Sequence, residues 1–188
     1  MFNSCNHTTK IRSIGFLAGL LVGLFALSGI VLASPFGVGV FGANVPFGGQ
    51  TSLTIATSGN VSIPVTPTPA GTLATGTSTV TVTSTDVVGY KLYIQALSNN
   101  NLVNGPNNLP ASTNVSPAAL SINTWGYNTD ASTNFAGITT AGVLIRTGTG
   151  PYESGDNTTV TYGLKIDDSL PAGNYSTTVI YTAVPQTQ

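Results

Sequence analysis

From Thr159 to Ile166 the side chains change character at every step, with Val160, Tyr162, Leu164 and Ile166 on one side of an extended backbone and Thr159, Thr161, Gly163 and Lys165 on the other. A period of two admits a strand with one buried face and excludes a helix, whose faces recur every ~3.6 residues. The pattern returns at Tyr175, Thr177, Val179, Tyr181 and Ala183, and in shorter form at Leu53 and Ile55, at Val61, Ile63 and Val65, and at Val80 and Val82. The β-branch of threonine suits the solvated face of such strands. The two C-terminal runs flank the turn sequence DDSLPAG and predict an antiparallel hairpin. No segment beyond residue 33 carries helical i, i+3, i+4 spacing over three turns. The expected fold is therefore all-β, an immunoglobulin-like antiparallel β-sandwich preceded by an N-terminal signal or transmembrane helix.

Two stretches interrupt the strand pattern. Residues 64–76, PVTPTPAGTLATG, hold three prolines that cannot donate to a ladder, and they read as a connection or a sheet edge. Residues 98–116, SNNNLVNGPNNLPASTNVS, read as a long loop of the kind that often carries function.

The N-terminus sets the expected destination. Lys10 and Arg12 precede an uncharged 21-residue run, residues 13–33, which ends Val31-Leu32-Ala33. A basic flank, an apolar run and small residues at its end are the layout of a secretion signal, cleaved between Ala33 and Ser34. The competing reading is a retained anchor, since 21 residues at a rise of ~1.5 Å nearly match a bilayer core of roughly 30 Å. Residues 34–50, SPFGVGVFGANVPFGGQ, form a Gly-rich apolar leader, and residues 51–188 the β-domain. The leader has a second reading, as an apolar arm added to a neighbour's sheet edge.

Composition then removes whole classes of chemistry. Beyond Ala33 the basic residues are Lys91, Arg146 and Lys165, outnumbered two to one by Asp86, Asp130, Glu153, Asp156, Asp167 and Asp168. Nucleic-acid binding depends on clustered Lys and Arg, and no such cluster is present. Cys5 and His7, the only Cys and His, both lie in the segment expected to be removed. A Ser-His-Asp triad, a thiol nucleophile, an imidazole metal site and a disulfide are thereby excluded from the mature domain. Neither an enzyme nor a cofactor is expected.

What remains is carboxylates and aromatics. Glu153, Asp156, Asp167 and Asp168 are the residues a glycosidase pair would draw on, but they fall in expected turns, where Asp serves backbone hydrogen bonds. Residues 153–157 offer oxygens to calcium without the alternating acidic spacing of known calcium loops, so no metal is expected. Triplets for N-glycosylation occur at Asn60, Asn114, Asn157 and Asn174. Trp125, the only tryptophan, and Tyr127 form either an aromatic platform for sugar rings or part of the core.

Gly89-Tyr90-Lys91-Leu92 followed by Tyr93-Ile94-Gln95-Ala96, with Ser84-Thr85-Asp86 upstream, resembles the first signature of WxL domains. These are surface modules of Gram-positive bacteria that bind the cell wall non-covalently. Residues 172–183, AGNYSTTVIYTA, resemble that family's close. Tyr90 and Tyr181 stand where the family has tryptophan. The resemblance spans roughly residues 79–185 and implies wall contact through Tyr90, Leu92 and Tyr181; the alternative for these three is a place in the core. The closing run is also similar to uncharacterised secreted proteins of reduced-genome bacteria, which implies a surface location and no activity.

Together these readings describe a non-catalytic secreted or cell-surface protein. Its expected partners are cell-envelope polysaccharide or peptidoglycan, or another surface protein, with no nucleic acid and membrane contact only through the N-terminal segment. The alternative is a structural subunit of an extracellular filament or surface layer, self-assembled through the N-terminal arm.

Overall fold

In residues 78–85 every second side chain is buried, from Ser78 through Val80 and Val82 to Ser84, with threonines between them half exposed. This is the sequence alternation made physical, and it recurs from Tyr90 to Ala96, whereas residues 160–164 are buried on both faces. The computed structural model describes residues 51–186; readings that concern residues 1–50, the cleavage site at Ala33 and Ser34 included, lie outside the described residues. The strands are β1 (Ser52–Thr57), β2 (Thr72–Thr85), β3 (Gly89–Ala96), β4 (Leu102–Asn104), β5 (Asn107–Leu109), β6 (Thr124–Asn128), β7 (Val143–Thr149), β8 (Tyr152–Ile166) and β9 (Val179–Gln186). No helix occurs among the described residues.

Two antiparallel sheets result, one ordered β1-β2-β8-β6 and the other β7-β3-β9, with β4 and β5 forming a separate small ribbon. Their inner faces share one core. Val80 and Val82 from β2, Val160, Tyr162, Leu164 and Ile166 from β8, and Trp125 and Tyr127 from β6 meet Tyr90, Leu92, Ile94 and Ala96 from β3. All four β3 residues are wholly buried. At ~25 cal/mol per Å² of apolar surface, this shared interior is what holds the two sheets face to face.

The expected hairpin between the two C-terminal runs does not form. β8 pairs with β2 and β6, whereas β9 pairs with β3 in the other sheet. Period two marks both runs as strands but is silent on partners. Residues 167–178, which connect them, are far longer than the two to five residues typical of a hairpin loop. They carry the chain from one sheet to the other instead.

Two further expectations change. Val61, Ile63 and Val65 belong to no strand, because prolines at 64, 67 and 69 withhold ladder donors. They still pack on the core, and Val61 and Ile63 lie so close to β2 that a Cβ on Gly76 would sit 2.6 and 2.9 Å from them. The long 98–116 loop, for its part, contains the β4–β5 ribbon.

The outer face of the four-stranded sheet has its own plug. Gly126 of β6 and Gly163 of β8 lie directly opposite one another, and Phe135, fully buried, fills the space two side chains would otherwise occupy. A Cβ on Gly163 would lie 2.4 Å from the Phe135 ring. Asparagines hold this loop in place. The Asn128 amide donates to the carbonyls of Ser132 and Asn134 at 2.9 and 2.7 Å, and the Asn114 amide donates to Phe135 O at 3.0 Å.

Phe135→Ala should therefore lower stability by about 3–5 kcal/mol and Gly163→Ala by about 1–3 kcal/mol. The double variant should lose less than the sum, because the new methyl refills part of the space the ring vacates. Urea unfolding of the three variants measures this. Strict additivity would show that ring and glycine do not share the site.

Candidate functional site

Trp125, Tyr162 and Tyr181 arrive at one place from three strands. Trp125 and Leu164 are register partners on the inner face of β6 and β8, and Tyr162 lies two residues before Leu164 on that face. Tyr181 comes from the opposite sheet, where it pairs with Ile94. The indole is 3% exposed and donates from Nε1 to Asn100 O at 3.0 Å. Its ring lies 6.4 Å from that of Tyr162, tilted by 35°. The hydroxyls of Tyr162 and Tyr181 hydrogen-bond to one another, joining the two sheets.

Beside this cluster opens a cavity of about 300 Å³. Trp125, Tyr162, Leu164 and Tyr181 line it from the core, and Val61, Ile63 and Leu102 add apolar wall. Thr57, Asn60, Thr177 and Thr178 supply hydroxyls and an amide, and none of these four side chains hydrogen-bonds to another described residue. Thr57, Asn60 and Thr178 are exposed and Thr177 is half-buried. Among the described residues, no Lys, Arg, His, Asp or Glu lines the cavity.

The phenols stay protonated over the physiological range. Burial raises the Tyr162 hydroxyl well above its ordinary value, reinforced by the nearness of Tyr181 and the bond to it. Burial likewise raises Tyr181, with the bond from Tyr162 acting in the opposite sense. Tyr127 is raised by burial and then by the proximity of Tyr181. The lining is thus neutral as well as polar.

A second constellation links β3, β7 and β8. The Tyr90 hydroxyl donates to Asp156 Oδ2 at 2.7 Å, Arg146 Nε donates to the same oxygen at 2.8 Å, and Arg146 Nη2 reaches Oδ1 at 2.6 Å. Asp156 belongs to the four-stranded sheet and the other two to the three-stranded one, so the trio clamps the sheets together. Burial is the main reason the Tyr90 hydroxyl is pushed up to about 12, followed by its bond to Asp156. The Tyr152 ring meets Tyr90 edge-on at 5.8 Å.

Of the residues singled out in sequence, Trp125 and Tyr181 are brought together at the cavity. Tyr127 is buried on the same inner face two residues from Trp125, in register with Tyr162. Tyr90 and Leu92 have no exposed surface and pack inside the core, Tyr90 serving the clamp. Asp156 and Glu153 are not turn residues as expected but part of β8, whose ladder to β2 carries Asp156 opposite Val82. Asp167 does serve a turn, accepting from the Ser169 N–H at 3.0 Å. Among the described residues no group of three or more His, Cys, Asp or Glu gathers as a metal site would.

Thr57, Thr177 and Thr178 were invisible as site residues because nothing separates them from the many other hydroxyl residues, and Asn60 stood out only as a glycosylation triplet. Of the glycosylation triplets, Asn60 and Asn174 are exposed, whereas Asn114 commits its amide to three backbone carbonyls. No protein-family model matches the chain, and no curated protein matches it.

Proposed function

We propose that the chain is an exported, non-catalytic cell-surface protein whose immunoglobulin-like β-domain binds a cell-envelope polymer through the cavity between its sheets. The observation that carries this reading is the pairing of an indole and apolar wall with four neutral polar side chains that have no partner among the described residues. A concave site of mostly apolar lining with a few convergent polar groups is the common form of a binding site. The WxL resemblance supports the wall as the source of the ligand, and the 13–33 run supports export.

Retention on isolated cell walls tests the proposal. The intact protein should sediment with walls, and Thr178→Trp, which places a large side chain at an exposed position of the rim, should reduce retention at least tenfold with the fold intact by circular dichroism. Equal retention of the two proteins would remove the cavity from the binding reading.

Self-assembly is the second reading, and the edges of the three-stranded sheet, unpaired among the described residues, favour it. β9 and β7 are its outer strands, with Val184 and Leu144 nearly half exposed. An unpaired edge is a template for another strand. Size-exclusion chromatography of the protein with and without residues 34–50 decides this: oligomers that vanish on truncation support assembly, and a monomer in both cases sinks it.

A further inference from the structure

We infer that the ligand unit of the cavity is an uncharged saccharide, one or two sugar rings of a neutral glycan, and not a phosphate- or carboxylate-bearing polymer. This rests on the reading of the cavity as the binding site and narrows it to one ligand chemistry.

Charge is the first argument. Bacterial and other cell envelopes offer both neutral glycans and polyanions, and the two demand opposite linings. A polyanion needs Lys, Arg or backbone N–H groups to replace lost water, and an ionised group moved into a site without them is strongly disfavoured. None of Lys91, Arg146 or Lys165 lines the cavity. Arg146 is held by Asp156, Lys91 pairs in the ladder with Thr147 and Val184, and the Lys165 stem lies against Gly71. A polycation is refused on the same logic, because no carboxylate lines the space among the described residues.

The second argument is complementarity. A pyranose ring presents hydroxyls around its rim and C–H groups on its faces. Val61, Ile63 and Leu102 give apolar surface for the faces, while three threonine hydroxyls each donate and accept. The Asn60 amide offers a donor and an acceptor side by side, which suits two adjacent sugar hydroxyls. A volume of about 300 Å³ is at the lower end of small-molecule sites, so it holds a short segment of a chain and not a long one.

Trp125 is the only tryptophan in the chain and lines the cavity, so its emission reports occupancy directly. The intact protein is titrated at low and high salt with chitin-, cellulose- and starch-derived oligosaccharides, and in parallel with poly(glycerol phosphate) and oligogalacturonate. The expected result is a saturable, salt-insensitive change with at least one neutral series, weakened about tenfold in Asn60→Ala, as loss of one or two hydrogen bonds implies. Binding of a polyanion that falls with salt and is lost in Thr178→Trp would overturn the inference while leaving the cavity as the site. Response to neither class, with wall retention unchanged in Thr178→Trp, would overturn the cavity reading itself.

Discussion

Asp156→Ala is expected to lower the free energy of unfolding by about 3–5 kcal/mol, a large share of the ~5–15 kcal/mol that holds a typical domain. The carboxylate accepts three charge-assisted or buried hydrogen bonds, two from Arg146 and one from Tyr90. Its loss strands the Tyr90 hydroxyl in a side chain with no exposed surface, where an unpaired donor costs about 1–3 kcal/mol. Arg146 loses its partner as well, although at 39% side-chain exposure it regains water and limits the damage. Asp156→Asn keeps the shape and one acceptor oxygen, so about half the loss is expected. Chemical denaturation of the single variants and of Asp156→Ala with Tyr90→Phe gives the coupling directly. A loss below 1 kcal/mol in Asp156→Ala would mean that the clamp does not hold the sheets.

Alkali should unfold the domain in a narrow range above pH 10. Tyr90, Tyr127, Tyr162 and Tyr181 all have hydroxyls raised above the usual tyrosine value, chiefly by burial. A group whose folded pKa lies above its unfolded one favours the folded state fully below the unfolded value, near 10, and loses that contribution as the pH climbs through the folded value. For Tyr90 the window runs from 10 to about 12, and at ~1.4 kcal/mol per unit it withdraws roughly 2–3 kcal/mol. Burial and the nearness of Tyr181 raise Tyr162 well beyond this window, so that phenol ionises only as the core opens. Tyrosinate absorbance and the near-ultraviolet dichroism of the fold should therefore change together. Tyr90→Phe should be less stable at pH 7, having lost the bond to Asp156, yet show a shallower decline between pH 10 and 12. Tyrosinate appearing well before the fold is lost would place these phenols in contact with water.

How far the sequence reached depends on what alternation encodes. It marked β1, β2, β8 and β9, each of which places residues of its alternating run against the core. It did not encode partners, and so β8 and β9 were joined where the chain separates them. Alternation at Val61, Ile63 and Val65 signalled burial correctly and pairing incorrectly, since prolines decide pairing. The β4–β5 ribbon had a usable sign in the Asn104-Gly105 dipeptide, a turn former masked by the asparagines around it. Of the candidate site, Trp125 and Tyr181 were singled out on aromatic character, and their meeting depends on a topology no local pattern carries. The Arg146–Asp156 pair was hidden for another reason. Ten residues apart in the chain, they are placed on opposite sheets by the short Gly150-Pro151 connection.

That separation of neighbouring strands also sets the order in which the molecule can form. Thr72 pairs with Ile166 and Gly89 with Gln186, so each main sheet waits for the last third of the chain. Contacts between such distant segments close slowly, on the millisecond to second scale of all-β topologies. A chain threaded N-terminus first through a narrow pore would bring β2 and β3 out with only the edge strands β1 and β7 to pair with, and the core, which draws on β8 and β9, would close only once the last of the chain had followed.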